Sequence, residues 1–240
     1  MARADNACTK VPPRILLTGF GPFPGVSVNA SALLVEKLAA ATNRASPGLQ
    51  ITSAILPTEW ERGPQVLDAL WEQVLPDIAI HFGVSDRAPG FVVETTAHNH
   101  CRAELDACGA LPGSDRHTHT GPQTGAATLP VSSILLRLAA HAIPCCSSTD
   151  AGAYLCNAIL FRSIERAEAA RRRALAGFIH IPASLAGGGP NGQDALPQCP
   201  LTWASALTGG QEIIEAARAY FGAPRHRPRP RQPLDLAQNG

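Results

Sequence analysis

Short apolar runs alternate with helix-periodic stretches through most of this chain, and that alternation constrains its fold more than any other feature. Arg14–Thr18 (RILLT), Ile51–Leu56, Asp77–Phe82 (DIAIHF), Phe91–Ala97, Ile143–Ser147 and Gly177–Pro182 (GFIHIP) are short and apolar, as buried strands are. Between them lie stretches with helical spacing. Asn29 or Ser31 caps a helix through Ala41. Thr58 caps one running to about Val74, with Glu59 and Glu61 in the first turn, where the helix dipole favours anions, and Pro76 breaks it. Pro130–His141, Leu155–Ala167 and Leu201–Phe221 read as three more, the last weakened by Gly209–Gly210. Strands alternating with helices predict an α/β fold with a parallel-dominated sheet between helical layers.

The chain has 240 residues, enough for one domain with a sizeable core. Residues 1–13 read as a loose lead, 14–221 as the α/β domain, and 222–240 as a proline- and arginine-rich disordered tail. A net charge of +1 with 16% charged residues gives no basic field for nucleic acid. No apolar run approaches the roughly 18 residues of a spanning helix, and MARADNACTKVPPR has no secretory core, so the expectation is a cytoplasmic protein with neither nucleic-acid nor membrane partners. Seven cysteines are an odd number that makes no small-domain disulfide framework, and in a reducing cytosol most are expected as free thiols.

One of them stands out. STDAGAYLCN (148–157) follows the apolar run Ala142–Cys146 and leads into a helix-periodic stretch. Strand, small-residue turn and helix in that order lift Cys156 to the edge of a sheet. A thiol is a strong nucleophile only as thiolate, so it needs a base. His180 interrupts an apolar strand one helix and a connection later, which places the two on neighbouring parallel strand–helix units near strand C-terminal ends, where ligand sites fall in open α/β sheets. Glu94 is a carboxylate in GFVVETTAHN where a strand wants an apolar residue. A buried carboxylate is costly unless paired, and an imidazolium would pair it. TGFGPFPG lacks the Lys-Ser/Thr of a P-loop and the G-x-G-x-x-G spacing, but Phe20 and Phe23 on such a loop can clamp a flat, uncharged ring, or anchor the loop in the core.

Taken together, TGFGPFPG with Asn29 after it, the region from PDIAIHFGVSDR to VVETTAHN, GPQTGAATLPV, STDAGAYLCN and GFIHIP resemble the pyroglutamyl peptidase I family, or pyrrolidone-carboxylate peptidases, in order and spacing from about Arg14 to Pro182. The resemblance implies a single α/β/α sandwich and a cysteine peptidase with a Cys–His–Glu triad that removes an N-terminal pyroglutamyl residue. It makes Cys156 the nucleophile, His180 the base and Glu94 the acid that orients it. It gives Phe20 and Phe23 to the lactam ring. Arg87 either positions substrate and supports the oxyanion, or pairs with Asp86 or another surface acid. The implied partners are peptides with N-terminal pyroglutamate, and family analogy adds a homo-oligomer, often a tetramer. No cofactor and no metal are required.

Several positions depart from the family pattern. Ser85–Asp86 replaces a glycine pair before Arg87, and Thr95 replaces an arginine after Glu94. Arg102 and Glu104 stand where an aspartate and an arginine are usual, with signs exchanged; Asp150 and Ala153 replace threonines, and Tyr154 a phenylalanine. Two other readings therefore stay open: a thiol hydrolase with a diverged acyl or lactam substrate, and a non-catalytic binding protein that keeps the pocket. Residues 99–124 read as a long polar loop. His98, His100, Cys101, Cys108, His117 and His119 invite zinc, but their spacing matches no paired zinc pattern, and solvated loop histidines are expected.

Overall fold

A computed structural model describes residues 11–46, 48–187 and 195–224. The expected lead over 1–13 and tail over 222–240 fall mostly outside them. In chain order the elements are β1 (Arg14–Phe20), α1 (Ala30–Ala45), β2 (Gln50–Leu56), α2 (Arg62–Val74), β3 (Ile78–Ser85), β4 (Phe91–Glu94), β5 (Thr96–His98), β6 (Thr124–Ala126), α3 (Val131–Ala140), β7 (Cys145–Ser148), α4 (Leu155–Ala169), β8 (Leu175–Pro182) and α5 (Trp203–Gly222). Six strands form one sheet in the order β2-β1-β3-β8-β4-β7, and β5 and β6 pair separately.

β1, β2, β3 and β8 run parallel. β4 joins β8 antiparallel, with Val92 opposite His180, and β7 lies parallel to β4. The sheet is mixed, mostly parallel and lies between helical layers. This corrects one expectation. The strands before Cys156 and around His180 are not neighbouring parallel units, because β4 separates them and β7 runs against β8. Local apolar pattern does not encode strand direction; Gly90–Glu94 can pair either way, and the short connection from β3 to β4 decides it.

Period-2 alternation divides the core between the sheet's two faces. Ile78, Ile80 and Phe82 of β3 pack with Leu34, Leu38, Ile134, Leu138 and Ile213 of α1, α3 and α5. Ala79 lies on the other face, in a cluster with Leu16, Phe178, Leu67 of α2, and Leu155 and Ile159 of α4. The site is built on this second face. Gly209 and Gly210 do not weaken α5 so much as let it close on its neighbours. A Cβ on Gly209 would lie 2.4 Å from Phe91, and one on Gly210 2.5 Å from Leu38.

Two local expectations change. Asn29 does cap α1, its Oδ1 accepting from the Ser31 N–H at 3.1 Å. Thr58 does not cap α2; its hydroxyl donates to the Gly21 carbonyl at 3.0 Å, and α2 starts later, with Glu61 at its N-cap. The run Phe91–Ala97 is two strands, because the Thr95 N–H and hydroxyl both donate to the Ser148 carbonyl, at 2.8 and 2.9 Å. That ends β4 on β7 and turns the chain toward β5.

Candidate active site

His180 is the sixth of eight residues in β8 and stands beside β4. Because Val92 pairs with His180 and Glu94 with Phe178, these four side chains share one face of the sheet. Glu94 reaches His180 along the diagonal, the spacing at which long side chains meet across antiparallel strands. The His180 Nδ1–H donates to Glu94 Oε1 at 2.9 Å, with both residues buried. Among the described residues Glu94 Oε2 is buried with no hydrogen-bond partner, and the His180 ring is the group that balances the carboxylate. Phe178 closes the other side of the imidazole, ring centres 4.9 Å apart.

Cys156 is the second residue of α4, whose N-cap, Tyr154, offers no capping side chain. The first-turn N–H groups of a helix have no intrahelical partner, and the helix dipole makes that end positive. Beneath the sulfur lies Gly83, in register with His180 on β3. A Cβ there would come within 3.0 Å of Cys156 Sγ and 2.6 Å of the Phe178 ring, so the thiol needs a glycine below it. Cys156 and His180 line the same cleft, and the sulfur acts electrostatically on the imidazole. Burial alone would push the His180 imidazole down; the Cys156 sulfur and the Glu94 carboxylate outweigh that and raise it to about 10. The arrangement is a cysteine sulfur, an imidazole ring whose Nδ1–H is held by a carboxylate, and that carboxylate behind it.

All three line a cleft of about 540 Å³. Its floor follows the strands. Phe20, at the end of β1, is 3% exposed and packs on Phe178 with ring centres 6.1 Å apart. Phe23 is half-buried at the wall, and the ring facing it is that of Tyr154, at 6.4 Å. Tyr154 is fixed in turn by Trp60, edge-on at 5.1 Å, and by its hydroxyl, which donates to the Leu105 carbonyl at 3.1 Å. The loop carrying Phe23 is held at Gly21, whose carbonyl accepts from both Asn29 Nδ2 and Thr58 Oγ1. Arg87 is exposed on the rim beside Asp86 and makes no ion pair among the described residues; its N–H donates to Ser85 Oγ at 3.3 Å.

Residues 99–124 are the long loop that the sequence suggests, exposed along most of their length, His100 and His119 included, and pinned from inside at a few buried polar residues. Asn157, next to Cys156, is fully buried and holds the loop from inside. Its Nδ2 donates to the carbonyls of His98 and His100 at 2.7 and 3.1 Å, and its Oδ1 accepts from the His98 N–H at 2.8 Å. Asn99 Oδ1 accepts from the N–H groups of His117 and Thr118. Asp106 accepts from the N–H groups of Trp60, Cys108 and Ala110; burial pushes its carboxyl up, and these bonds outweigh it and bring it below the usual range. Arg102 and Glu104, the exchanged pair, close on each other at the surface. The His/Cys cluster splits up. His98 Nε2–H donates to the Thr149 carbonyl, and Cys101 pairs with His117; among the described residues no three His, Cys, Asp or Glu side chains converge on a metal position.

Sequence reasoning missed Gly83, Asn157 and the ring role of Tyr154. Asn157 left a signal: an amide in the apolar-periodic stretch after Cys156. Gly83 left none, since a glycine closing an apolar strand reads only as a turn.

Comparison with known proteins follows this geometry. The pyroglutamyl peptidase family matches residues 13–190. Pyroglutamyl-peptidase 1 of Rattus norvegicus is 30% identical over 170 residues, which are 70% of this chain and 78% of the relative. Pyrrolidone-carboxylate peptidase of Thermococcus litoralis is 32% identical over 171 residues, 70% and 76% of the two chains. Among solved structures, a mutant pyrrolidone carboxyl peptidase from Pyrococcus furiosus superposes with a TM-score of 0.75 at 26% identity, covering 86% of this chain and 99% of its own. Pyroglutamyl peptidase I of Bacillus amyloliquefaciens gives 0.74 at 26%, covering 87% and 98%.

Proposed function

This chain belongs to the pyroglutamyl peptidase family of cysteine hydrolases, and from that premise we propose that it hydrolyses the amide bond after an N-terminal pyroglutamyl residue, with Cys156, His180 and Glu94 as its triad. The observation that carries the reading is the Glu94–His180 hydrogen bond of 2.9 Å at the side of a cleft that Cys156 also lines.

Each part has a step in the reaction. His180 takes the Cys156 proton and becomes an imidazolium, which Glu94 stabilises while holding Nδ1–H in place. The thiolate attacks the pyroglutamyl carbonyl carbon. The oxyanion that forms is met by the first-turn N–H groups of α4, that of Cys156 among them. The tetrahedral species collapses, the C–N bond breaks, and His180 Nε2–H passes its proton to the leaving amine. Water, deprotonated by His180, then attacks the thioester and releases pyroglutamate and the Cys156 thiol. The lactam ring sits between Phe23 and Tyr154 above Phe20, a mostly apolar pocket suited to an uncharged five-membered ring. Arg87 stands on the rim to orient the substrate backbone.

The test is release of a fluorescent amine from a pyroglutamyl amide, with dithiothreitol present, by the native protein and by Cys156→Ala. Cleavage by the native protein alone is expected. Cleavage by both would contradict the nucleophile. Cleavage by neither, with Cys156 still alkylated fast, would mean that the pocket takes a different acyl group.

A further inference from the structure

Beyond the triad, one row of in-register residues crosses the sheet on the site's face: Gly83 of β3, His180 of β8, Val92 of β4 and Cys146 of β7. With strands about 4.8 Å apart, the row is about 14 Å long. Cys156 Sγ lies over its Gly83 end, and the acyl pocket of Phe20 and Phe23 lies beyond that end, over β1. His180 comes next. Val92 and Cys146 therefore lie on the far side of the base from the nucleophile, and both line the cleft.

The order has a chemical consequence. The group that protonates the leaving amine stands between the acyl side and the leaving side, so the departing peptide runs from His180 over β4 and β7. Resting on the proposed peptidase reading, we infer that Val92 and Cys146 form the floor of an apolar leaving-peptide subsite, and that this chain prefers apolar residues at the two positions after pyroglutamate. At about 3.4 Å per extended residue, the two strand spacings beyond His180 hold the first two residues of the leaving peptide.

The walls agree. Ala88 and Pro89, and Ala151 and Gly152 in the turn that crosses from β7 to α4, also line the cleft. Apart from the Glu94–His180 pair, the charged lining residues Asp86, Arg87 and Asp150 are exposed. Cys146 reaches this floor, and Cys145 does not, because adjacent strand residues point to opposite faces. The Cys145 sulfur instead meets the Leu135 carbonyl at 3.7 Å, on the far side of the sheet. The Cys146 thiol is thus a small apolar surface at the end of the leaving channel, and no hydrogen bond holds it among the described residues.

The experiment compares kcat/KM for pyroglutamyl-Leu-Leu-amide and pyroglutamyl-Ser-Ser-amide, in the native protein, Cys146→Asp and Cys146→Val. Native protein favours the leucine peptide by about tenfold or more, the discrimination that burial of apolar side chains supports. Cys146→Asp lowers that ratio by about fivefold or more, while Cys146→Val, apolar and close in volume, keeps the leucine preference. Melting curves for both variants check that they fold. Equal rates on the two peptides, or the same ratio in all three proteins, would overturn the subsite and leave the peptidase reading standing. Cleavage of neither peptide by native protein would overturn both.

Discussion

Two cysteine–histidine pairs lie on either side of the first turn of α4, and they are built to opposite ends. In one, Cys156 meets His180, whose Nδ1–H donates to the Glu94 carboxylate. In the other, Cys101 Sγ lies 3.1 Å from His117 Nδ1, and His117 Nε2 accepts from Asn157 Nδ2 at 3.0 Å. The Asn157 orientation is fixed by its bonds to the His98 and His100 backbone, so its amide donates and cannot accept. The consequence is electrostatic. His180 is raised to about 10, whereas burial first, and then His100, push His117 down to about 4. Burial and Asp115 push the Cys101 thiol up to about 11. Proximity of thiol and imidazole is common to both pairs. What differs is the third group: a carboxylate rewards a charged ring at His180, whereas the half-buried His117 faces an amide donor and is lowered by burial and by His100. His81 extends the contrast. It sits between the Thr18 and Ser163 hydroxyls, each at 2.7 Å, and burial brings it to about 3.

The contrast is broken most severely at Glu94. Glu94→Gln keeps the shape and removes the charge, and a loss of about 10³-fold or more in kcat is expected for pyroglutamyl amide cleavage. The pH profile moves with it. Native kcat/KM persists until His180 loses its proton near pH 10, and in Glu94→Gln that alkaline fall comes at lower pH, because one cause of the raised value is gone.

A smaller effect comes from exchanging the other third group. Asn157→Asp places a carboxylate against the His98 and His100 carbonyls and removes two donors. Denaturant titration at neutral pH is expected to show a loss of about 2 kcal/mol. The His117 ring, followed by NMR, should then titrate above its native value of about 4.

The smallest effect is on stability against acid. The unfolded chain protonates His117 near pH 6.5 and the native protein only near 4, so the unfolded state binds more protons between those values. Stability therefore falls as pH drops from 6.5 toward 4. His117→Gln should flatten that fall by on the order of 2 kcal/mol, measured as the difference from native protein across the same range. His180 runs the other way: its contribution is complete below about 6.5 and is lost as pH rises through about 10.

Much of the active half of this comparison is legible in the sequence. Cys156 sits at the end of a small-residue turn, His180 breaks an apolar strand, and Glu94 is a carboxylate where a strand should be apolar. Each is a local violation of pattern, and local violations are what a sequence displays. The silent half is not legible for the same reason. Cys101, His117 and Asn157 come from a loop and a helix whose composition reads as ordinary, and only the fold shows that three buried amides and carboxylates, Asn157, Asn99 and Asp106, order residues 99–124 from within. The antiparallel placement of β4 was equally hidden, although it sets both the diagonal that joins Glu94 to His180 and the row that ends at Cys146. Helix boundaries moved where a side chain found a tertiary partner, as Thr58 did at Gly21. Among the described residues no helix is long and apolar enough to cross a membrane, in keeping with the absence of such a run in the sequence.

The most direct test measures alkylation of Cys156 by iodoacetamide at pH 6, followed by peptide mass spectrometry, in native protein and Glu94→Gln, with Cys101 as the reference in the same samples. An ordinary thiol is almost wholly protonated at that pH and reacts slowly. If the third group makes the active pair, native Cys156 reacts at least about 100-fold faster than Cys101, and Glu94→Gln slows Cys156 by about tenfold or more. Equal rates for the two cysteines in native protein, or a Cys156 rate indifferent to Glu94→Gln, would contradict the account.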